Sequence, residues 1–467
     1  MFKEKKGLAL KVKDHREQIK MVWKLSIPAV MAQITSIIMQ YIDAGMVGSL
    51  GADASAAIGL VSTSTWLLGG LCTVVSTGFS VQVAQFIGAG KKEKARQVVY
   101  HAFLYAILFS VLLAVAGASI SGWLPAWLGG EAELRKNASA YFLIYASFIP
   151  ALQLNSLAGM LLQCSGNMKT PGILNSCMCF LDIVLNAVLI FPSGQIALGI
   201  VKIPYYGMNL GVAGAALGTA LAELIICCFM VFALIVRSPV LHLERKMLHW
   251  KRDINIVKRA IKIGAPMALE HVALCGAMVA TTRIVAPLGT IAIAANSFGI
   301  TVESLCYMPG YGIASAATTL VGQSFGAKDT ELANKYAWTA TINGVLVMTV
   351  TGALMFIFAP VLMRILTPDA QVLKLGVEVL RIEAFAEPLY AASIVVSGAL
   401  RGAGDTLVPS IINLCSIWGV RLSLAVVLVS HYGLHGVWVA MCVELCVRGI
   451  LLLIRLKRGR WLKVKEA

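Results

Sequence analysis

Apolar runs long enough to cross a bilayer follow one another along nearly the whole of this 467-residue chain, with short polar stretches between them. A spanning helix needs about 20 consecutive apolar residues. The runs predict twelve helices, over 22–48, 56–87, 97–123, 139–163, 171–192, 209–236, 255–284, 291–322, 333–360, 374–400, 407–430 and 433–455. Inside hydrocarbon, backbone groups must be satisfied within a helix or a closed barrel. Barrel strands need only about 10 residues, so the expected fold class is an all-α polytopic membrane protein. With 58% hydrophobic and 13% charged residues, the chain is excluded from soluble enzymes, disordered chains and disulfide-dense secreted domains. The 11 cysteines lie almost all in apolar runs and lack zinc-ligand spacing, so they read as small packing residues. No secretory signal is evident, because the charged first residues lead into a run too long for an h-region.

The net charge is +16, and its placement matters more than its size. Of the 39 Lys and Arg, 31 fall in residues 1–24, 88–97, 164–170, 237–262, 326–335, 401–406 and 448–467. The alternate loops carry only Arg135, Lys136, Lys202, Arg283, Arg364, Lys374 and Arg381, and Arg421 lies within a span. Basic residues concentrate in cytoplasmic loops. The expectation is therefore a multi-pass protein of the cell (inner) membrane with both termini and the 237–262 segment in the cytoplasm. The charge is a topological signal, and no nucleic-acid partner is needed to account for it.

The two halves align at a constant offset of 238 residues. Pro28 matches Pro266, Leu50-Gly51 match Leu288-Gly289, Gln85 matches Gln323, Gly88-Ala89 match Gly326-Ala327, Pro150 matches Pro388, and Asn175 matches Asn413. Later the offset falls to 222, with Gly211 and Gly214 matching Gly433 and Gly436, so the first half carries 16 extra residues in the region 192–207. Six spans per repeat make the repeats parallel, two six-helix bundles related by a pseudo-two-fold axis along the membrane normal. That architecture belongs to transporters. The expected division is a cytoplasmic segment 1–21, an N-terminal lobe 22–236, a linker 237–254, a C-terminal lobe 255–455 and a basic tail 456–467.

Packing residues repeat, but intramembrane acids do not. Asp43 aligns with Thr281, Asp182 with Val420, Glu270 with Ala32 and Glu303 with Thr65. An ionisable group inside a membrane is expensive and by default functional. Asp182 and Asn186 are four apart and share one helix face. With Asp43 in the first span and Thr219 in the sixth, they are positioned to meet in one outward-facing pocket. No Lys or Arg in the first half is placed to neutralise the two acids, so a proton or a small cation must do so. The plainer alternative is that Asp43 is solvated near the outer interface, while Asn186 and Thr219 bond neighbouring helices. In the second half the candidates for the substrate cavity are Glu270, Glu303, Glu387 and Arg421. Arg421 is expected to pair with one of these acids. Glu378 and Glu383 are expected to face Arg381 or the outer interface, and His271 to be a packing residue. Gly214 and Gly218 form a GxxxG, which signals close helix approach. Pro388 is expected to kink the tenth span, and Met308-Pro309-Gly310 to break the eighth.

No GxxxxGK[ST] loop, HExxH or GxSxG is present. No catalytic residue, no cofactor and no enzyme activity are expected. The stretches Pro309-Gly310-Tyr311-Gly312, Ala317 to Ala327 (ATTLVGQSFGA) and Leu400 to Thr406 (LRGAGDT), with the first-half counterpart around Gly166, resemble the multidrug and toxic compound extrusion (MATE) transporters. These belong to the multidrug/oligosaccharidyl-lipid/polysaccharide flippase superfamily. The resemblance covers about Trp23 to Arg455. It implies twelve helices in two lobes around a V-shaped cavity, and export of organic cations or amphipathic compounds in exchange for Na⁺ or H⁺. The family's first-span Asp falls on Asp43 and its sixth-span Thr on Thr219. Its fifth-span Asn and Asp fall, in swapped order, on Asp182 and Asn186, and its seventh-span Glu has only a rough match in Glu270.

The sequence thus reads as a secondary active antiporter, monomeric in the lipid bilayer, with small cationic or amphipathic substrates. Asp43, Asp182, Asn186 and Thr219 are expected to bind the coupling Na⁺ or H⁺, and no other metal is implied. The alternative within the superfamily is a lipid or lipid-linked oligosaccharide flippase. Such cavities are lined with cations, and few are expected here apart from Arg283 and Arg421. An embedded enzyme is disfavoured by the missing catalytic motifs, and a channel by the parallel repeat with unequal acids.

Overall fold

The computed structural model describes residues 14–198, 201–243 and 253–463. Parts of the expected amino-terminal segment, the 237–254 linker and the basic tail lie outside the described residues. The first half comprises α1 (His15–Gly48), α2 (Ala52–Gly88), α3 (Lys92–Ile120), a single turn α4 (Leu124–Trp127), α5 (Ala132–Ser147), α6 (Ile149–Cys164), α7 (Lys169–Ile190) and α8 (Gly211–Phe232). The second half comprises α9 (Ile254–Val285), α10 (Thr290–Gly326), α11 (Thr330–Leu366), α12 (Ala370–Glu383), α13 (Glu387–Ala403), α14 (Leu407–Cys415) and α15 (Ser423–Lys457). Among the described residues, nine helices are long and apolar enough to cross a membrane, or ten if the pair α5–α6, bent by 47°, is one span. The protein is therefore a multi-pass membrane protein.

The departures from twelve simple spans have local causes. The fourth expected span is broken just before Pro150, at the start of α6, and the tenth just before Pro388, at the start of α13. Proline lacks an N–H and fits only the first turn of a helix, so each break sits where the ring becomes tolerable. The last two expected spans run on through α15, which is interrupted at Gly433 with φ 55° and ψ −134°. The expected break at Pro309 does not occur; α10 continues through it, as α1 does through Pro28 and α9 through Pro266. The 16 extra residues are a second correction to the all-α expectation. Two strands lie in this region, Pro192–Leu198 paired antiparallel with Val201–Met208.

The repeat is visible in the backbone itself. Adding the offset of 238 residues carries the starts of α2, α3, α5, α6 and α7 onto those of α10, α11, α12, α13 and α14. It also carries Gly51 (φ 114°) onto Gly289 (φ 92°) and Gly166 (φ 91°) onto Gly404 (φ 89°). Each half packs chiefly on itself, and the halves meet along α1 with α10, α2 with α9 and α2 with α10. From Cys72 to Gly88 nearly every residue of α2 is buried, as is nearly every residue of α10 from Pro309 to Gly326. The other ends of both helices are largely exposed or half-buried. The halves are thus sealed together at the end that carries the basic loops.

The backbones of α7 and α8 cross so closely that only glycine fits between them. A Cβ at Gly214 would stand 2.5 Å from the Leu189 carbonyl oxygen, a backbone atom that has no room to give. Gly214→Ala should destabilise the protein by about 1–3 kcal/mol through overpacking. Gly45→Ala, where nothing lies within 4 Å, should be neutral or slightly stabilising. Thermal unfolding of both purified variants against the parent checks this, and equal midpoints would show that the crossing is not tight.

Candidate functional site

Three elements converge on a polar junction inside the first half. Asp43 stands near the end of α1, Asp182 and Asn186 on one face of α7, and Thr219 on α8 beside Gly218. The Asn186 amide spends both of its N–H bonds here. It donates to Asp43 Oδ1 at 2.9 Å and to Asp182 Oδ2 at 3.1 Å. Asp182 and Asn186 are wholly buried, and the Thr219 hydroxyl lies within reach of the Asp182 carboxylate. Gly218 has a specific purpose at this point, because a Cβ there would run into Asn186 Oδ1. The GxxxG therefore does two jobs on α8, with Gly214 admitting the α7 backbone and Gly218 admitting the Asn186 side chain.

The junction has an acceptor surplus. Asp182 Oδ1 and Asn186 Oδ1 are buried and have no hydrogen-bond donor, and no Lys or Arg pairs with Asp43 or Asp182 among the described residues. Leaving buried acceptors unmet costs about 1–3 kcal/mol each, more where charge is involved. A proton on one carboxylate, or a small hard cation ligated by these oxygens, removes the surplus. The residues present fit either. The described residues include no set of three or more His, Cys, Asp or Glu suited to a tightly held metal.

Two residues absent from the sequence reading extend the junction. Glu223, one turn beyond Thr219 on α8, accepts a hydrogen bond from Asn155 Nδ2 at 2.7 Å and feels the charge of Asp182. The half-buried Tyr141 of α5 feels both Asp43 and Asp182. The i, i+4 spacing of Thr219 and Glu223 was the signal available for the first; nothing in the sequence marks the second.

The second-half candidates are placed differently from one another. Glu270 of α9 accepts from Asn413 Nδ2 at 2.6 Å and from Ser410 Oγ at 2.7 Å, with Arg401 3.8 Å away. His271 beside it packs on Gly70 and Trp66 of α2, as a packing residue should. Glu303 and Glu387 are at most 6% exposed and lie inside the second half rather than on an open cleft. Glu383 is also fully buried, which corrects the expectation that it faces Arg381. That arginine lies over the Phe356 ring instead, 5.3 Å from its centroid, and Glu378 pairs with His435. Arg421 forms no ion pair within 4 Å among the described residues, contrary to expectation. It points Nη2 at Met441 Sδ, 2.7 Å away, from a π-helical turn, Ser416–Leu422, that shifts the α-helical register. Its charge reaches Glu303 and Glu383 only through space. A fully buried acid that the sequence reading missed, Glu444, does find an arginine. It stands 3.1 Å from Arg448, one turn along α15.

The MatE family profile matches residues 28–188 and again 266–427, one match per repeat. The chain is 27% identical to the probable multidrug resistance protein NorM of Thermotoga maritima, over 94% of this chain and 92% of that one. It is 25% identical to the multidrug resistance protein NorM of Photobacterium profundum, over 97% of each. Among solved structures it superposes on a MOP superfamily transporter from Pyrococcus furiosus with a TM-score of 0.88 at 21% identity, covering 99% of this chain and 100% of that one. It superposes equally widely on a multidrug resistance MATE family transporter in an outward-facing conformation, with a TM-score of 0.89 at 21% identity. At that identity the likeness concerns the fold.

The junction yields a direct test. Gly218→Ala should push the Asn186 amide off its two carboxylates and lower transport at least tenfold while leaving the protein in the membrane. Vesicle efflux and membrane abundance measured together check this. Unchanged efflux would show that the amide does not need its place.

Proposed function

We propose, from the premise that the chain belongs to the MatE family, that it is a multidrug efflux transporter of the antiport type, driven by Na⁺ or H⁺. Its relatives named above are multidrug resistance proteins matched over nearly their whole length, which supports the efflux reading. The finer architecture we propose is twelve spans in two six-helix lobes, with α12–α13 as one span and α14–α15 as two. The termini face the cytoplasm, and the polypeptide works as a monomer in the cell membrane without a cofactor.

The observation that carries the antiport reading is the Asp43–Asn186–Asp182 junction with its two orphaned oxygens. In a low-dielectric bundle two bare carboxylates around one amide are unstable without a positive charge. When the site is loaded, Asp43 is held against α7 through Asn186. When it is empty, repulsion between the carboxylates favours parting α1 from α7. Loading thereby biases the first lobe between two arrangements, and a ligand shifts an equilibrium only through such a difference in affinity. Thr219 supports Asp182 from α8. The cationic or amphipathic substrate occupies the cleft between lobes, where Glu270 adjoins His271, whose ring packs on Trp66 of the other half. Arg421, inside the second half and with no acid within 4 Å among the described residues, disfavours cations at its own depth. Glu303 and Glu387 act on the cavity from behind its wall, as buried charge.

Dye efflux from proteoliposomes with imposed ΔpH or ΔNa⁺ tests the reading. Asp43→Asn should reduce gradient-driven efflux to background with normal insertion. Asp182→Asn should impair it severely, and Asp182→Asn with Asn186→Asp, which restores the order found in the resembling family, should recover a good part. Full activity of either single variant would remove that carboxylate from the coupling site.

A further inference from the structure

The seal at the basic-loop end is built from one contact used twice. Gln85 of α2 donates from Nε2 to the Gly402 carbonyl of α13 at 2.9 Å. Gln323 of α10 donates from Nε2 to the Cys164 carbonyl of α6 at 2.9 Å. Each bond crosses from one half of the chain to the other. The offset of 238 residues carries Gln85 onto Gln323 and Cys164 onto Gly402, so the two bonds are images of each other about the pseudo-two-fold axis.

The carbonyls they reach are those that the helices leave free. The last four C=O groups of a helix have no partner within it. In α6, the carbonyls of Leu161, Leu162 and Gln163 are met by the N–H groups of Ser165, Asn167 and Gly166. Cys164, the last residue, is met by Gln323. In α13, the carbonyls of Leu400 and Arg401 are met by Asp405 and Gly404, and Gly402 is met by Gln85. Each half thus caps the other half's helix end. Both glutamines are buried, at 5% and 0% exposure.

The backbone is shaped to allow this. A Cβ at Gly88 would collide with the Gln323 carbonyl, and a Cβ at Gly326 with the Gln85 carbonyl, again a symmetric pair. Gly322 faces Ala84, its own image, with 2.9 Å between the Ala84 Cβ and the position a Cβ would take. The crossing of α2 and α10 therefore lies on the symmetry axis itself. Gln85 Oε1 also accepts from Arg259 of α9, whose image position is Met21.

We infer that Gln85 and Gln323 are positioning residues for transport: paired amide latches that hold the two halves together at the basic-loop end and release together when that end opens. The inference rests on the alternating-access reading above. Removing one latch leaves a helix-end carbonyl unmet only in the closed arrangement, because in the open one water meets it. Loss of a latch therefore shifts the equilibrium toward opening. At about 1 kcal/mol per bond the shift is roughly fivefold for one and roughly thirtyfold for both.

The test is the distribution of distances between spin labels at Lys94→Cys and Lys335→Cys. These are exposed positions at this end, one in each half. The accessible native cysteines Cys177, Cys228, Cys415, Cys442 and Cys446 are replaced by serine. The protein is reconstituted under the imposed ion gradient at which the parent populates both a short and a long distance. Gln85→Met and Gln323→Met should each raise the long-to-short ratio about fivefold, and the double variant about thirtyfold, with neither distance itself changed. If the double variant does not fold, as judged by thermal unfolding, the two single variants decide alone. Folded variants with the parent's ratio would overturn the latch while leaving alternating access intact. A parent with one fixed distance under every gradient would overturn alternating access, and the latch with it.

Discussion

One amide shared between two carboxylates in an apolar bundle is the constraint on which the rest of this structure depends. A membrane interior offers no solvent to repair an unmet polar group, and an Asp near its centre costs about 2.5–3.5 kcal/mol on the insertion scale. Asn186 has two N–H bonds and both are committed, one to α1 and one within α7. For the amide to sit there, α8 must have no side chain at Gly218, and for α8 to come so close it must have none at Gly214. The packing of three helices is thus subordinate to placing one side chain. The acceptors left over, Asp182 Oδ1 and Asn186 Oδ1, are what a mobile positive charge would find.

The scaffold is symmetric and the chemistry is not. Helix starts, prolines at helix breaks, left-handed glycines and the two amide contacts at the basic-loop end all recur at the same offset. The two acids of the α1–α7 junction do not, for Asp43 has Thr281 as its image and Asp182 has Val420. In the structure Thr281 merely bonds back to its own helix at Ala277. A symmetric seal with an asymmetric charge site is a sensible division. Equal lobes meet with matching surfaces, and one lobe alone carries the junction of two acids proposed above as the coupling site.

Much of this was legible in the sequence, and the limits are physical. The repeat, the apolar runs and the Asp43, Asp182, Asn186 and Thr219 set could be read because each leaves a one-dimensional trace: a constant offset, a hydropathy period, an i, i+4 spacing. The strand pair over 192–208 was missed because its residues were counted only as an insertion. The break at Pro388 was foreseen and the one at Pro309 was not borne out. A proline tells where a hydrogen bond is lost, not whether neighbours hold the helix straight. Arg421 was expected beside an acid from depth alone, but direction depends on the π-helical turn that carries it. Gln85 and Gln323 were visible only as a matched pair. That they reach across to helix-end carbonyls is a property of the fold, and no spacing rule encodes it.

The central claim is that the junction of α1 and α7 binds the coupling cation or proton. Stoichiometry measured on the purified protein tests it most directly, by titrating Na⁺ calorimetrically at several pH values while following proton release. The expected result is one Na⁺ bound per chain in competition with protons, or, for a proton-coupled protein, one proton released per chain on substrate binding. In either case the signal disappears when Asp43 and Asp182 are both replaced by Asn. Undiminished ion or proton binding by that doubly substituted protein would contradict it.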